Sequence, residues 1–255
     1  YKPHRIDIKN FHEINPSLSD MKVAFVDGGN AEIINAANFS LSLIRAGCAV
    51  YYSNKKISAK RFEIFAFTQA LSQNNEIHYK TSFFSLGNSM ELNEMYFSSF
   101  DHTLMHGVNR AEISSVANAI RRFAELKLAK IVAEKKIAGM IVLDGNLQAT
   151  ITNENRHLDE LYNLCNKNNV ILTALGKTTS LFTDDGSLLS VVLGNMGAFP
   201  TWFYYPVAGI NSPSHRAEMF FVKLHNKSKH IFRFEIFNGQ KENSGEAISA
   251  LACNC

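Results

Sequence analysis

Two short, unbroken apolar runs, each closed by Asp-Gly, constrain the fold more than any other feature of the chain. Val23-Ala24-Phe25-Val26 leads into Asp27-Gly28-Gly29, and Met140-Ile141-Val142-Leu143 leads into Asp144-Gly145. Continuous apolar runs of this length read as strands buried on both faces, the kind found in the middle of a sheet covered by helices. The glycines after each Asp read as turns that end the strand. Two β-like stretches follow the first run, Glu32 to Ala37 and Phe39 to Tyr52, with connections short enough for antiparallel hairpin partners. Ser58 to Leu71 reads as a helix. The stretch 72–107, rich in Asn, Ser and Met, follows no single period and reads as an insertion into one domain spanning 1–255.

The strongest helical pattern runs from Ala111 to Lys135, with Ile113, Ala117, Ile120, Ala124, Leu128 and Ile131 recurring at three- and four-residue steps. After the second Asp-Gly run, a helix from His157 to Asn168 and a strand from Val170 to Leu175 complete an alternating βαβ section, whose strands should lie parallel with right-handed crossovers. Further strand patterns cover Trp202 to Val207, Met219 to His225 and His230 to Phe237. Three hairpin-like strands followed by helix, strand, helix, strand is the element order of an RNase H-like α/β fold, a mixed sheet flanked by helices, here with additional C-terminal strands.

In that arrangement the two parallel strands finish at one edge of the sheet, so Asp27 and Asp144 should sit side by side. The helix before Asp144 must run antiparallel to its strand. Glu125 lies about 10 residues, or ~15 Å, back from the helix end near Lys135, and Asp144 lies roughly 17 Å along its strand from Gly139. The two acids therefore reach one height, whereas Glu112 would overshoot and Glu134 would stay at the opposite edge. Three converging carboxylates repel one another and raise their own proton affinities unless a cation neutralises them, and hard oxygen ligands select Mg²⁺ or Mn²⁺. A pair of such ions suits phosphodiester hydrolysis.

With these residues in place the chain resembles the NurA nuclease family, in which Asp-Gly-Ser-like motifs follow the first strand and a later one. The matching stretches are Val26-Asp27-Gly28-Gly29 and Leu143-Asp144-Gly145-Asn146-Leu147, with Gly29 and Asn146 standing where the family has Ser. Ile120-Arg121-Arg122-Phe123-Ala124-Glu125-Leu126 is similar to the family's segment bearing a metal-binding Glu, and Ala174-Leu175-Gly176-Lys177-Thr178-Thr179 to its strand ending in Lys and a hydroxyl residue. Phe221 to His225, with Phe232-Arg233, resembles a later strand pair, so the likeness spans roughly Val23 to Phe237. It implies a homodimeric nuclease acting on DNA ends with the hexameric translocase HerA, in end resection during recombinational repair. The family usually continues into a segment with Tyr-Pro and a His, which is not recognised before Cys255; with no initiator Met and an end inside a helical pattern, the C-terminus reads as truncated.

Lys177 should stand at the same sheet edge, where its ammonium could meet a phosphate, although a surface Lys fits equally well. His225 could be a further ligand or a proton-transfer group, against a plain structural role. Tyr204 and Tyr205 could stack on a base of a frayed strand, against a place in the core. Arg121 and Arg122, with Lys127 and Lys130, could line a DNA path, and a solvated helix face explains them too. Lys55, Lys56, Lys60 and Arg61 form one basic cluster, and Lys223, Lys227, Lys229, His230 and Arg233 another.

Other classes are narrowed by composition. A net charge of +3 permits an acidic partner without demanding one. The four cysteines are too scattered for a disulfide framework or a CxxC zinc site and read as reduced thiols. No long apolar run or signal-peptide pattern is present, and the chain reads as cytoplasmic, with no membrane partner. Gly176-Lys177-Thr178 is not a P-loop, since Ile171 stands where a Gly is required, and His102 and His106 lack the Glu of an HExxH motif. Two other readings remain: a DNA-binding scaffold that docks a translocase without cutting, and an actin-like or sugar-kinase ATPase using Asp27-Gly28-Gly29 as a phosphate loop.

Overall fold

A computed structural model describes residues 1–15, 20–87 and 90–254. In chain order the strands are β1 (Lys2–Pro3), β2 (Phe11–Glu13), β3 (Val23–Asn35), β4 (Phe39–Tyr52), β5 (Lys55–Gln73), β6 (Glu76–Leu86), β7 (Met95–Ser98), β8 (Met140–Asp144), β9 (Ile171–Gly176), β10 (Trp202–Tyr204), β11 (Ala208–Gly209), β12 (Ala217–Lys223) and β13 (Phe232–Phe237). The α-helices are α1 (Val116–Glu134), α2 (Glu154–Asn168), α3 (Leu189–Met196) and α4 (Ser244–Cys253). Among the described residues, one eleven-stranded sheet runs β2-β10-β12-β13-β9-β8-β3-β4-β5-β6-β7, and β1 pairs separately with β11.

At its centre, β3, β4 and β5 form an antiparallel meander, and β8 and β9 add in parallel on the other side of β3. The order β5-β4-β3-β8-β9 is that of an RNase H-like sheet, here extended at both edges. Alternation along the strands divides the interior between two faces. Ala24, Val26, Ile141 and Leu143 pack with Ile120, Ala124 and Leu128 of α1 and Leu158 and Leu161 of α2. Val23, Met140 and Val142 pack with Ile248 and Leu251 of α4 and Phe220 and Phe234 of β12 and β13. A smaller cluster gathers Leu193 of α3 with Phe11, Trp202, Tyr204 and Phe221.

Both long helices stop by one device. Beyond α1, Lys136 adopts a left-handed φ of 47°, and the Ile137 N–H donates to Val132 O at 3.1 Å. Beyond α2, Asn169 has φ 54° and the Val170 N–H donates to Cys165 O at 2.9 Å. These six-to-one closures satisfy carbonyls left open at a helix end and turn the chain straight into β8 and β9.

Three sequence expectations are corrected. Ser58 to Leu71 is not a helix but part of β5, where Ile64, Ala66 and Thr68 are buried in strict alternation. The mix of Lys, Arg, Glu and Ala in that stretch has helical propensity, but pairing with β4 on one side and β6 on the other outweighs it. Glu32 to Ala37 is not a separate strand, because β3 runs unbroken from Val23 to Asn35, with a register shift between Glu32 and Ile34. Asp27-Gly28-Gly29 is therefore mid-strand rather than a turn. The stretch 72–107 supplies β6 and β7 to the sheet edge, which leaves the expectation of an insertion standing.

Candidate active site

Register, rather than a turn, brings Asp27 and Asp144 level. β3 and β8 pair in parallel only from Val23↔Met140 to Val26↔Leu143, so each Asp is the next residue on its strand. β8 then stops, and Gly145 at φ 91° turns its chain away, while β3 continues alongside β4 past Gly28 and Gly29. This divergence leaves Asp27 exposed and the Asp144 side chain 39% exposed. Because Val26 and Leu143 face α1, strand alternation turns both aspartates toward the opposite face.

Glu125 approaches from the α1 side. The residue is 2% exposed and its carboxylate lies directly over Gly28, where a Cβ would come within 2.6 Å of Oε1. Arg121, one turn earlier on α1, donates a short hydrogen bond to Oε1, and Arg122 Nη1 lies 3.6 Å from Oε2. Burial raises the Glu125 pKa, the two arginines oppose that shift, and the charge of nearby Asp27 adds to it.

Among the described residues, no three His, Cys, Asp or Glu side chains are gathered closely enough to hold a metal ion. The donor chemistry nevertheless suits a hard cation: only carboxylate oxygens are offered, by Asp27 and Asp144 on neighbouring strands and by Glu125, which comes over Gly28 from the α1 face near enough to feel the charge of Asp27. Arg121 and Arg122 hold the positive charge that Glu125 would otherwise require of an ion.

The loop after Asp144 is clamped from three directions. Arg122 Nη2 donates to Asn146 O at 3.0 Å, the Leu147 N–H donates to Glu235 Oε2 at 2.8 Å, and Tyr162 Oη donates to Leu147 O at 3.1 Å. Glu235, on β13, is fully buried. Burial alone would raise its pKa, but hydrogen bonding from His215 and the charge of Arg233 outweigh this and hold it below the ordinary value. His215 Nε2 stands 2.9 Å from Oε2, Arg233 Nε donates to Oε1 at 2.7 Å, and Tyr1 Oη reaches His215 Nδ1 at 2.9 Å.

Asp144, Asn146, Gly176, Lys177, Thr178 and Arg233 line an open cleft of about 370 Å³, with Lys177 Nζ 3.8 Å from Asp144 Oδ1. Other sequence-predicted residues lie elsewhere or are already engaged. His225 is exposed beyond β12, outside this lining, and its Nδ1 accepts from the Lys227 N–H at 3.2 Å. Tyr205 stacks on Phe220 at 4.5 Å, carries Lys241 5.0 Å from its ring centre and donates from its hydroxyl to Glu218, so it is a packing residue rather than a free platform for a base. Arg122 is tied to Asn146 and, through Nε at 2.7 Å, to buried Glu154, so it braces the site instead of facing DNA. Arg121 keeps 31% of its side chain exposed.

Glu235, His215 and Glu154 were not singled out from the sequence. A signal for the first exists: Arg233 and Glu235, two apart in the otherwise aromatic and aliphatic Phe232–Phe237, must share one face of a buried strand and so need polar partners. His215 gives no such sign, because the residues that bury it come from distant parts of the chain. A Tyr-Pro pair does occur before Cys255, as Tyr205-Pro206 with a cis peptide, and His215 follows it. Cys255 itself lies outside the described residues. No described helix is long and apolar enough to cross a membrane.

No family model matches the chain, and no curated protein matches it. Among solved structures, the NurA nuclease from Sulfolobus solfataricus aligns over 96% of this chain and 77% of its own, with TM-score 0.52 and 12% identity. The catalytic domain of human endonuclease V aligns over 92% of this chain and 74% of its own, with TM-score 0.42 and 14% identity. Endonuclease V of Ciona intestinalis, solved with an inosine-containing DNA, aligns over 92% and 78%, with TM-score 0.41 and 14% identity. At such identities it is the fold that is shared, and this chain has the fold of the NurA nuclease.

Proposed function

We propose that the chain is a nuclease that hydrolyses DNA phosphodiester bonds with Mn²⁺ or Mg²⁺ held by Asp27, Glu125 and Asp144. The observation that carries this reading is the register of β3 with β8, which sets Asp27 and Asp144 level at the point where the strands part, with Glu125 lodged over the adjoining Gly28 from the α1 face. Bound there, two such ions would supply an activated water and offset the charge on the leaving oxygen. Lys177, beside Asp144 in the cleft, orients the phosphate, and Arg121 is the exposed cation able to exchange Glu125 for a phosphate oxygen. His225 has no part in this scheme. The wider role extends to DNA ends in recombinational repair, as a cytoplasmic homodimer working with a HerA-type translocase; its support is the motif resemblance together with the shared fold.

A second reading, a DNA-binding scaffold that does not cut, is favoured by the pairing of Glu125 with Arg121 and Arg122, which already neutralises one of the three acids. End-labelled single- and double-stranded DNA incubated with Mn²⁺, with and without chelator, separates the two. Cleavage that stops with chelator and in folded Asp27→Ala and Asp144→Ala variants supports the nuclease. Binding with no cleavage in either metal supports the scaffold.

A further inference from the structure

A second cleft, of about 610 Å³, opens at the same edge of the sheet as Asp144, between α3 and the turn that joins β12 to β13. Lys177, Lys223, Lys227, Lys229, His230 and Asn195 are among its lining residues, which include no carboxylate. Among the described residues, Lys223, Lys227 and Lys229 form no ion pair. These three ammonium groups around one concavity, with Lys177 at its Asp144 end, repel one another unless a polyanion neutralises them.

Lys177 belongs to both clefts, and its Nζ lies 3.8 Å from Asp144 Oδ1. The register of the strands explains the continuity: Gly176 pairs with Arg233 and Phe232 with Val222, so the ends of β9 and β12 and the start of β13 reach one edge. No Phe, Tyr or Trp lines the second cleft, which leaves phosphates, not bases, as its targets.

We propose that this lysine cleft is a backbone-binding subsite for nucleic acid, holding the phosphates of a strand that continues past Lys177 to Asp144, without regard to sequence. The inference rests on the nuclease reading for its direction, but its binding test does not need cleavage. Lys227 and Lys229 are exposed, so Lys227→Glu/Lys229→Glu leaves the packed core alone, and Lys227→Gln/Lys229→Gln removes the charge without reversing it. Affinity for a fluorescein-labelled oligonucleotide is measured by anisotropy in chelator across a range of salt. Removing two phosphate contacts should lower the slope of log K against log salt by about 1.4 for a single strand or about 1.8 for a duplex. Lys55→Glu/Lys56→Glu, a charge-matched change in the other basic cluster, should leave the slope unchanged.

An unchanged slope in both cleft variants, an equal fall in the Lys55/Lys56 control, or absence of DNA binding by the wild type would each overturn the subsite. Hydrolysis of bis(p-nitrophenyl) phosphate, too small to span the lysine cleft, reads the acids separately. It should persist in the cleft variants, and its absence from the wild type counts against the nuclease while the slopes still decide the subsite.

Discussion

The Glu125 carboxylate occupies the space that a side chain on Gly28 would take: a Cβ there would lie 2.6 Å from Oε1 and 2.9 Å from Cγ. The helix acid can thus meet the strand only because β3 carries Gly beside Asp27. Gly28→Ala should displace Glu125, cost about 1–3 kcal/mol through overpacking and lower Mn²⁺-dependent cleavage at least tenfold. Gly29→Ala, with open space around it, should change neither. Denaturant titrations and cleavage rates that fail to separate the two substitutions would refute the dependence of Glu125 on Gly28.

Arg122 connects α1, α2 and the loop behind Asp144 through Glu125, Glu154 and Asn146. Its removal leaves Glu154, 1% exposed, without its cation, although the Thr150 and Ile151 N–H groups still donate to it at 2.8 and 3.1 Å. Arg122→Ala should therefore cost about 3–5 kcal/mol, the range for breaking a buried pair from one side. Urea unfolding measures this, and a loss below about 1 kcal/mol would show that Arg122 does not brace the site.

The Glu235 pKa is held below the ordinary glutamate value of 4.5, so its contribution to stability is present above that pH and is lost as pH falls through the lower folded value. Glu235→Gln cannot make this loss. Acid unfolding followed by circular dichroism should show a shallower decline below about pH 4.5 in the variant than in the wild type. Parallel acid limbs in the two proteins would contradict the assigned shift.

Metal binding has a readout apart from cleavage. A ligand that binds only the folded state adds about 2.7 kcal/mol at a hundred times its Kd, so Mn²⁺ should raise the unfolding midpoint of the wild type, and chelator should reverse the rise. Asp27→Asn/Asp144→Asn should abolish it. A shift of equal size in that variant would place the bound metal elsewhere.

Local pattern alone was enough to identify β8, β9, α1 and α2, because their burial period matches the period of their apolar residues. It also indicated that β3 and β8 are parallel neighbours, so that Asp27 and Asp144 would share an edge. β5 reads locally as a helix because its mix of charged, Ala and apolar residues is compatible with either period, and only two long pairing partners make it a strand.

Tertiary structure alone decided what each acid meets. Asp27-Gly28-Gly29 looks like a turn locally but stays extended because β4 holds it on one side after β8 has ended on the other. Arg122, which has the spacing of an exposed helix residue, becomes an internal brace because α2 and the loop after Asp144 close over it. Composition and periodicity record how a residue faces its own strand or helix; hydrogen-bond partners such as Glu235 and Leu147, 88 positions apart, exist only once the sheet has brought β13 beside the loop that follows β8.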